Sequence, residues 1–291
     1  SDFFELVKEK RLPIDFDLII GNPPFINNLT NSARRIEAQR ILNGNPKLPD
    51  NQLSLLFLDQ AIKLCREGGS LCLVLPSGPF LYNIGSFDFR THILKQYDLK
   101  YIIDFTHLSR FLFGSGKGDH PTLAVFVNNS PSRKKDILHI TIRKTKSVKE
   151  KIWIELDKYD YHTVPFETAV SNKKEDKLIW KSNFLGGGRI HALLKRLALQ
   201  RTLKEYIDEN KDWIYGEGFI AGDKGKKKTA LYLTGSKFLP TKSFTENGII
   251  ENDIYVLKTK FFVSPKTSEL FKAPILLIKE VVGKETLLVA Y

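Results

Sequence analysis

The segment Asn22–Phe25 (NPPF) follows directly after the apolar run Asp17–Gly21 (DLIIG). The side-chain oxygen of Asn22 and the main-chain carbonyl of Pro23 can each accept a hydrogen bond from a planar amino group. Two such acceptors would localise a nitrogen lone pair that is otherwise delocalised into the attached ring, so that the amine could act as a nucleophile. These residues are therefore candidates for catalysis at a planar amino group.

The two prolines and the phenylalanine suit the same chemistry. Pro23 and Pro24 fix φ and remove two backbone donors, so the turn is rigid and its carbonyls face no competing amides. Phe25 offers a flat face on which an aromatic base could stack once it has left a duplex, which is worth ~1 to 3 kcal/mol per base. An ordinary turn is the alternative interpretation of an Asn-Pro-Pro sequence.

The elements around this segment predict where it lies. Apolar strands alternate with helical patterns, which is typical of a mostly parallel sheet covered by helices, the doubly wound α/β class. Ligands bind such sheets beyond the carboxyl ends of the strands, where Asn22 begins. The predicted strands after the first are Ser70–Leu75, Tyr101–Phe105 and Thr122–Val127, and the predicted helices are Leu53–Cys65 and Arg90–Tyr97.

The last two predicted strands should run antiparallel. Only Thr106–Pro121 separates them, and this segment shows no clear helical pattern. We therefore expect Thr122–Val127 to be an antiparallel edge strand beside Tyr101–Phe105.

The remainder of the chain is more polar and divides into three stretches. Residues 131–188 contain alternating pieces such as Ile137–Ile142 and predict connecting strands and a linker that ends in a flexible Gly186–Gly188. Apolar residues at helical spacing within Arg189–Asn210 predict a helix with a core-facing side. Short β-branched and aromatic runs from Gly216 onward predict a β-rich domain. We therefore expect domains at 1–130, 131–188 and 189–291.

The net charge of +12 is unevenly distributed. Residues 1–130 carry 14 Lys+Arg against 13 Asp+Glu, which leaves 31 against 20 for residues 131–291. A cationic part beside a nearly neutral part suits a polyanion such as nucleic acid. A solvated lysine-rich surface is the alternative.

Several classes of protein are not indicated. Cys65 and Cys72 are the only cysteines and cannot form a disulfide scaffold, and the six histidines lack the spacing of a zinc site. We therefore expect no metal. No run approaches the ~18 apolar residues of a membrane span, so we expect a cytoplasmic protein.

The motif and its surroundings resemble a known family. FDLIIGNPPF is similar to the catalytic motif of the gamma class of N6-adenine DNA methyltransferases, Asn-Pro-Pro-Tyr/Phe after a strand. The resemblance continues through LSLLFLDQAIKLCREGGSLCLVLPSGPFL, YIIDF and TLAVFV and covers residues 13–128. GEGFIAGDK, ALYLTGSKFLP and FKAPILLIKEVVGKETLLVAY resemble, more loosely, the target-recognition domain of restriction-modification members.

The resemblance implies an activity and roles for particular residues. It implies S-adenosylmethionine-dependent methylation of adenine N6 at specific sites in double-stranded DNA, with the base flipped out of the helix. Asn22 and Pro23 would bind the amino group and Phe25 would stack on the adenine. Phe113 or Phe111 would supply a second aromatic wall. Lys117 would contact phosphate, as would the run at 226–228.

The resemblance also implies a fold and an expected gap. The fold would be the C-terminal half of a Rossmann-like methyltransferase sheet with an antiparallel last strand, followed by a β-rich target-recognition domain. The main cofactor loop of the family is expected upstream of Ser1, and residues 113–118 (FGSGKG) do not replace it because no helix follows them. The absence of methionine also indicates a fragment. We expect this part alone to be inactive, and the parent protein to include a nuclease or specificity domain.

Two other functions stay open at this point. Related enzymes use an Asn-Pro-Pro turn to methylate an RNA base or a protein glutamine. Those of the glutamine type end soon after the last strand of the sheet, whereas residues 128–291 follow Val127 here. The chain could also be a DNA-binding fragment without activity of its own.

Overall fold

The computed structural model describes residues 2–112, 120–146, 150, 153–222, 227–279 and 289–290. The chain divides into two compact units, Ser1–Gln200 and Arg201–Tyr291, and each is described by itself.

The first unit consists of a sheet with flanking helices. Its strands are β1 Phe16–Gly21, β2 Cys65–Pro76, β3 Tyr97–Asp104, β4 Thr122–Pro131, β5 Ile137–Thr141 and β6 Tyr161–Val164. Its helices are α1 Phe3–Lys8, α2 Asn31–Leu42, α3 Leu53–Ala61, α4 Phe87–Gln96, α5 Ser109–Leu112, α6 Phe166–Ala169, α7 Ile179–Phe184 and α8 Gly188–Ala198.

The six strands form one mixed sheet in the order β1-β2-β4-β3-β5-β6. The pairs β1/β2 and β3/β5 are parallel, whereas β4 is antiparallel to both of its neighbours and β6 is antiparallel to β5. The α/β class is confirmed, and so is the antiparallel pairing of the third and fourth strands. The parallel pair β1/β2 places the ends of both strands at the same edge of the sheet.

The expectation that Thr122–Val127 lies at the edge of the sheet is wrong. It forms β4, which lies between β2 and β3. The side chains of Leu123, Val125 and Val127 are each at most 1% exposed. A strand that is apolar on both faces is most stable in the interior of a sheet. Nor does β4 end the sheet, because β5 and β6, predicted as connecting strands, extend it beyond β3.

The core of the first unit lies between the sheet and its helices. Leu55 and Leu56 on α3, Phe89 on α4 and Trp180 on α7 are at most 1% exposed. Burying side chains of this size stabilises the fold by ~1.5 to 3 kcal/mol each. Residues of β2, β3 and β4 belong to this continuous core, whereas β1 is exposed at the edge of the sheet and only its Ile19 packs against the core.

The predicted core face within Arg189–Asn210 is also wrong. This stretch forms two helices, α8 in the first unit and α9, Leu203–Glu209, in the second, with Thr202 forming a capping box at the start of α9. Neither helix buries any of its residues, and Leu193 and Leu197 are more than half exposed. Helical periodicity predicts an apolar face but not what covers that face.

The second unit consists of short strands around a small core. Its strands are β7 Ile220–Ala221, β8 Lys227–Thr229, β9 Lys237–Phe238, β10 Phe244–Thr245, β11 Gly248–Ile249, β12 Tyr255–Val256, β13 Phe261–Val263, β14 Leu277–Ile278 and β15 Val289–Ala290. Strand β13 lies between β7 and β8, and Phe262 is fully buried there with Leu233 and Leu257. The β-rich character predicted for this part is confirmed. The second unit begins at Arg201, whereas the last domain was predicted to begin at residue 189. The role of this part in target recognition stays a prediction.

Candidate functional site

The NPPF turn leaves the carboxyl end of β1, beside β2. Gly21 pairs with Leu73 of β2, and a Cβ atom on Gly21 would lie 3.1 Å from Leu73 Cδ2. A side chain at position 21 would therefore require the Leu73 side chain to shift by a few tenths of an ångström. Glycine here allows β1 to pack closely against β2 up to the first residue of the turn.

Contacts of the residues that follow Phe25 hold the C-terminal end of the turn in place. Pro23 is buried, and the carbonyl of Ile26 accepts a hydrogen bond of 2.9 Å from the backbone amide of Leu53 at the start of α3. Leu29 is buried in the core, and Thr30 caps α2 by accepting from the amide of Ala33 at 3.3 Å. The backbone of the turn is thus fixed between β1 and α3.

The two candidate acceptors of the turn lack hydrogen-bond partners among the described residues. The Asn22 side chain is exposed and makes no hydrogen bond with any residue that the structure describes. The carbonyl of Pro23 accepts no backbone hydrogen bond from any described residue. The Asn22 side chain is therefore both exposed and unpaired among the described residues, whereas Pro23 is buried and its carbonyl lacks a backbone partner there.

Phe25 has an aromatic neighbour that sequence reasoning missed. The ring of His120 lies 6.4 Å from the ring of Phe25, centroid to centroid, with the planes at 83°. The next residue, Pro121, accepts a hydrogen bond of 2.9 Å from the backbone amide of Ser77, which follows β2. Strand pairing thus brings His120 beside the turn. The only sequence signal was an aromatic residue just before a buried strand.

Of the other predicted substrate-binding residues, the structure describes Phe111 and does not pair its ring with Phe25. Phe111 on α5 instead contacts Lys144, whose Nζ lies 4.5 Å from the ring centroid. Phe113, Lys117 and Lys226 lie outside the described residues. Lys228 is exposed on β8 of the second unit.

A buried polar network lies at the neighbouring end of β3. Asp104, the last residue of β3, is 1% exposed and accepts hydrogen bonds from the hydroxyl of Tyr82 and, at 2.8 Å, from the amide of Thr106. His139 Nε2 lies 3.5 Å from its carboxylate. The hydroxyl of Thr106 donates in turn to Ser77 Oγ at 2.9 Å. This chain of contacts ties the end of β3 to the residue that holds Pro121.

The network shifts the pKa values of its members. Burial alone raises the pKa of the Asp104 carboxyl, but hydrogen bonding and charge from His139, together with Thr106 and Tyr82, lower it overall below its ordinary value. Burial and the adjacent Asp104 charge raise the pKa of the Tyr82 hydroxyl. Asp104 is therefore the ionised acceptor and Tyr82 the neutral donor.

The described glycine-rich segment does not fit S-adenosylmethionine. Gly186–Gly188 connects helix α7 to helix α8 instead of following a strand, and a Cβ atom on Gly187 would lie 2.7 Å from His162 Nδ1. Close packing therefore explains that glycine. Among the described residues there is no group of three His, Cys, Asp or Glu placed to hold a metal ion. Nor does any helix described here have the length and apolar character to cross a membrane.

Comparison with known proteins found a family-model match in the part of the chain that carries the NPPF turn. Residues 3–111 match the family model of the Eco57I restriction-modification methylase. The resemblance to restriction-modification methylases is thereby confirmed for this segment, while the gamma class stays a prediction. No curated protein matches the chain.

Several solved structures are similar to part of this chain. The type I restriction-modification methyltransferase subunit from Streptococcus thermophilus is 18% identical, with 57% of this chain and 38% of that chain covered and a TM-score of 0.42. The M protein of the type I restriction enzyme EcoKI is 17% identical, with 48% and 28% covered and a TM-score of 0.34. The DrdV–DNA complex is 18% identical, with 54% and 18% covered and a TM-score of 0.36. The chain therefore spans well under half the length of each.

Proposed function

We propose that this chain supplies the target-base side of a methyltransferase that modifies adenine N6 at specific sites in double-stranded DNA, within a restriction-modification system. The observation that carries the proposal is the NPPF turn. It follows the carboxyl end of β1, an exposed edge strand of the sheet, and its Asn22 amide is exposed and unpaired with any described residue. The match of residues 3–111 to a restriction-modification methylase family supports the same assignment.

The residues of the turn would act on the amino group of the base. Asn22 Oδ1 and the Pro23 carbonyl would accept its two hydrogens, which localises the lone pair on nitrogen. Because the backbone of the turn is already fixed, these acceptors need little reorganisation when the amine becomes the attacking group. S-adenosylmethionine would supply the methyl group.

The aromatic residues would hold the extruded base. Phe25 would stack on it, which replaces part of the stacking lost when the base leaves the duplex. His120 would add a further aromatic contact, since its ring lies beside Phe25 and it precedes Pro121, which accepts from Ser77 after β2; the roles of Phe111 and Phe113 stay predictions. The perpendicular plane of the His120 ring suits an edge contact with a stacked base rather than a second parallel wall.

DNA is favoured over the two alternative substrates, RNA and a protein glutamine. The family that matches is named for restriction-modification, which acts on DNA. Residues 131–291 contain 31 Lys+Arg against 20 Asp+Glu, and this excess of positive charge suits phosphate contacts. The chain also continues through residues 165–291 after β6, the last strand of the sheet in sequence. A cytoplasmic location and a nuclease or specificity domain in the parent protein are part of the proposal.

The test is methyl transfer by the full product of the gene that encodes this chain. The enzyme is incubated with radiolabelled S-adenosylmethionine and unmethylated duplex DNA, and the digested nucleosides are identified by mass spectrometry. We expect N6-methyldeoxyadenosine from the wild type and none from Asn22→Ala. The exposed neighbour Asn27→Ala serves as the matched control and should keep activity.

Three results would contradict the proposal. One is methylation of RNA or of a protein glutamine in place of DNA. The second is another modified base, such as N4-methyldeoxycytidine. The third is unchanged turnover in Asn22→Ala.

A further inference from the structure

The loop between β2 and α4, residues 77–86, presents one isoleucine entirely to solvent. Ile84 is 99% exposed, more than any other large apolar side chain in the described part of the chain, and Leu42 follows at 80%. Its neighbours Asn83 and Gly85 are exposed as well, and no atom lies within 4 Å of a Cβ atom placed on Gly85. The isoleucine therefore projects alone.

The loop that carries Ile84 is rigidly anchored by a buried arginine. Arg90 of α4 is 3% exposed. Its Nη1 donates to the carbonyls of Phe80 at 3.2 Å and Leu81 at 2.9 Å, and to Ser86 Oγ at 2.9 Å. Phe80 and Leu81 are themselves buried in the core. The loop is thus tied to the helix on both sides of Ile84.

Asn83 fixes the backbone immediately before Ile84. Its amide donates to the carbonyl of Gly78 at 2.8 Å, and its own carbonyl accepts from the amide of Ser86 at 3.0 Å. Its side-chain Nδ2 donates to Asp50 Oδ2 at 2.7 Å. The exposure of Ile84 is consequently a property of an ordered loop.

The same contact connects the loop to the NPPF turn. Asp50 lies in the segment before α3 and has a left-handed backbone, with φ of 52°. A non-glycine residue in that region is strained and persists only where its surroundings hold it. Three residues later, the amide of Leu53 donates to the carbonyl of Ile26, directly after Phe25. The loops after β1 and β2 also leave the same edge of the sheet, because these strands are parallel neighbours.

We infer that Ile84 is a wedge that enters the DNA stack and occupies the gap left by the flipped base. The inference rests on the proposed function and adds the residue that acts on the duplex rather than on the extruded base. Apolar side chains, isoleucine among them, are inserted between base steps by proteins that distort DNA. A β-branched side chain has a restricted χ1, so little entropy is lost on insertion. The net charge of +12 suits the approach of a duplex.

A duplex with a preformed gap tests this role without knowledge of the target sequence. The probe is a short labelled duplex with a central tetrahydrofuran abasic site, compared with the intact duplex of the same sequence. Binding of the 291-residue chain is measured by fluorescence anisotropy at fixed salt. We expect the wild type to bind the abasic duplex about fivefold more tightly than the intact one, because burying part of an isoleucine side chain in the gap is favourable.

Substitution of the isoleucine should remove this preference alone. Ile84→Ala should bind both duplexes with the affinity that the wild type has for the intact duplex. Leu42→Ala, which truncates the exposed leucine at the end of α2, should keep the fivefold preference. Both positions are solvent-exposed, so neither change should alter the far-ultraviolet circular dichroism or the thermal midpoint.

The outcomes separate this inference from the proposed function. If the wild type binds both duplexes equally, or if Ile84→Ala keeps the preference, the wedge role is wrong while DNA binding stands. If the chain binds neither duplex, the proposed DNA binding is contradicted, and so is the proposed role of Ile84.

Discussion

At the scale of single residues, the site depends on an amide that the protein leaves unpaired. Asn22 is exposed beside a buried proline, and its side chain bonds to none of the described residues. A preorganised acceptor of this kind contributes to catalysis only if its position is accurate, because a displacement of about 1 Å can cost ~100-fold in rate. Position as well as chemical type therefore determines its contribution.

Replacement of Asn22 by glutamine tests that requirement. Asn22→Gln keeps the amide but moves it outward by one methylene. We expect the single-turnover rate of methyl transfer by the full gene product to fall about 100-fold, with duplex affinity unchanged. Rapid-quench measurements of the rate, paired with anisotropy for affinity, check the prediction. A rate within a factor of about two of wild type would show that the amide does not position the amine.

The aromatic pair gives a second residue-scale prediction. Phe25→Ala should weaken the flipped state by ~1 to 3 kcal/mol, because a stacking face is lost. The smaller edge contact of His120 should make His120→Ala the milder change, and His120→Phe should restore the wild-type signal. The readout is 2-aminopurine fluorescence at the methylated adenine. Equal signals from wild type and both alanine variants would exclude a role for these rings in holding the base.

The two rings also show how far the sequence could predict the site. Asn22 and Phe25 are neighbours in sequence, so their types and order alone indicated the chemistry. His120 reaches Phe25 only because β4 inserts between β2 and β3, and that strand order was not predicted. Phe111 and Phe113 were expected from the family resemblance and from their position before TLAVFV, whereas Phe111 contacts Lys144.

At the scale of elements, the ends of β2, β3 and β4 are joined by buried polar contacts. Asp104 ends β3, Thr106 follows it, and Thr106 donates to Ser77 at the end of β2. Ser77 then donates to Pro121 at the start of β4. Strand alternation in the sequence predicted the strands themselves. It could not predict this network, because each contact joins residues from different elements.

The ionised state of Asp104 predicts a pH-dependent contribution to stability. The folded pKa of this carboxyl lies below its ordinary value, so its contribution is complete above about pH 4 and is lost as the pH falls through the folded pKa. Asp104→Asn should destabilise the protein by about 2 kcal/mol near neutral pH, since the buried donors lose a charged acceptor. The difference from wild type should shrink in acid.

Urea unfolding followed by circular dichroism, at about pH 7 and at about pH 3, measures that difference. Glu67→Gln is the control, because Glu67 is an exposed carboxylate on β2 and should give no difference at either pH. A destabilisation of Asp104→Asn that stays equal at both pH values would show that the carboxyl is not ionised in the folded protein.

At the scale of the whole molecule, the two compact units carry different shares of the charge. Residues 131–200 have 16 Lys+Arg against 8 Asp+Glu, whereas residues 201–291 have 15 against 12. The sequence alone showed that nearly all of the excess of Lys+Arg over Asp+Glu lies after residue 130. Only the division after Gln200 shows that most of it belongs to the unit that contains the sheet. The sequence pattern could not place this boundary, because α8 and α9 read as one apolar stripe.

This division predicts that general DNA affinity and target choice are separable. A chain ending at Gln200 keeps +9 of the net +12, so its affinity for an arbitrary duplex should fall with salt nearly as steeply as that of the full chain. Removal of residues 201–291 from the full gene product should instead abolish preference for the methylated site, because those residues carry the proposed recognition domain. Anisotropy titrations across a range of salt concentrations give the slope, and competition between specific and scrambled duplexes gives the preference. If truncation strongly reduces the dependence of affinity on salt, the phosphate contacts lie in residues 201–291. If the enzyme without these residues still prefers the specific duplex, they do not carry target recognition.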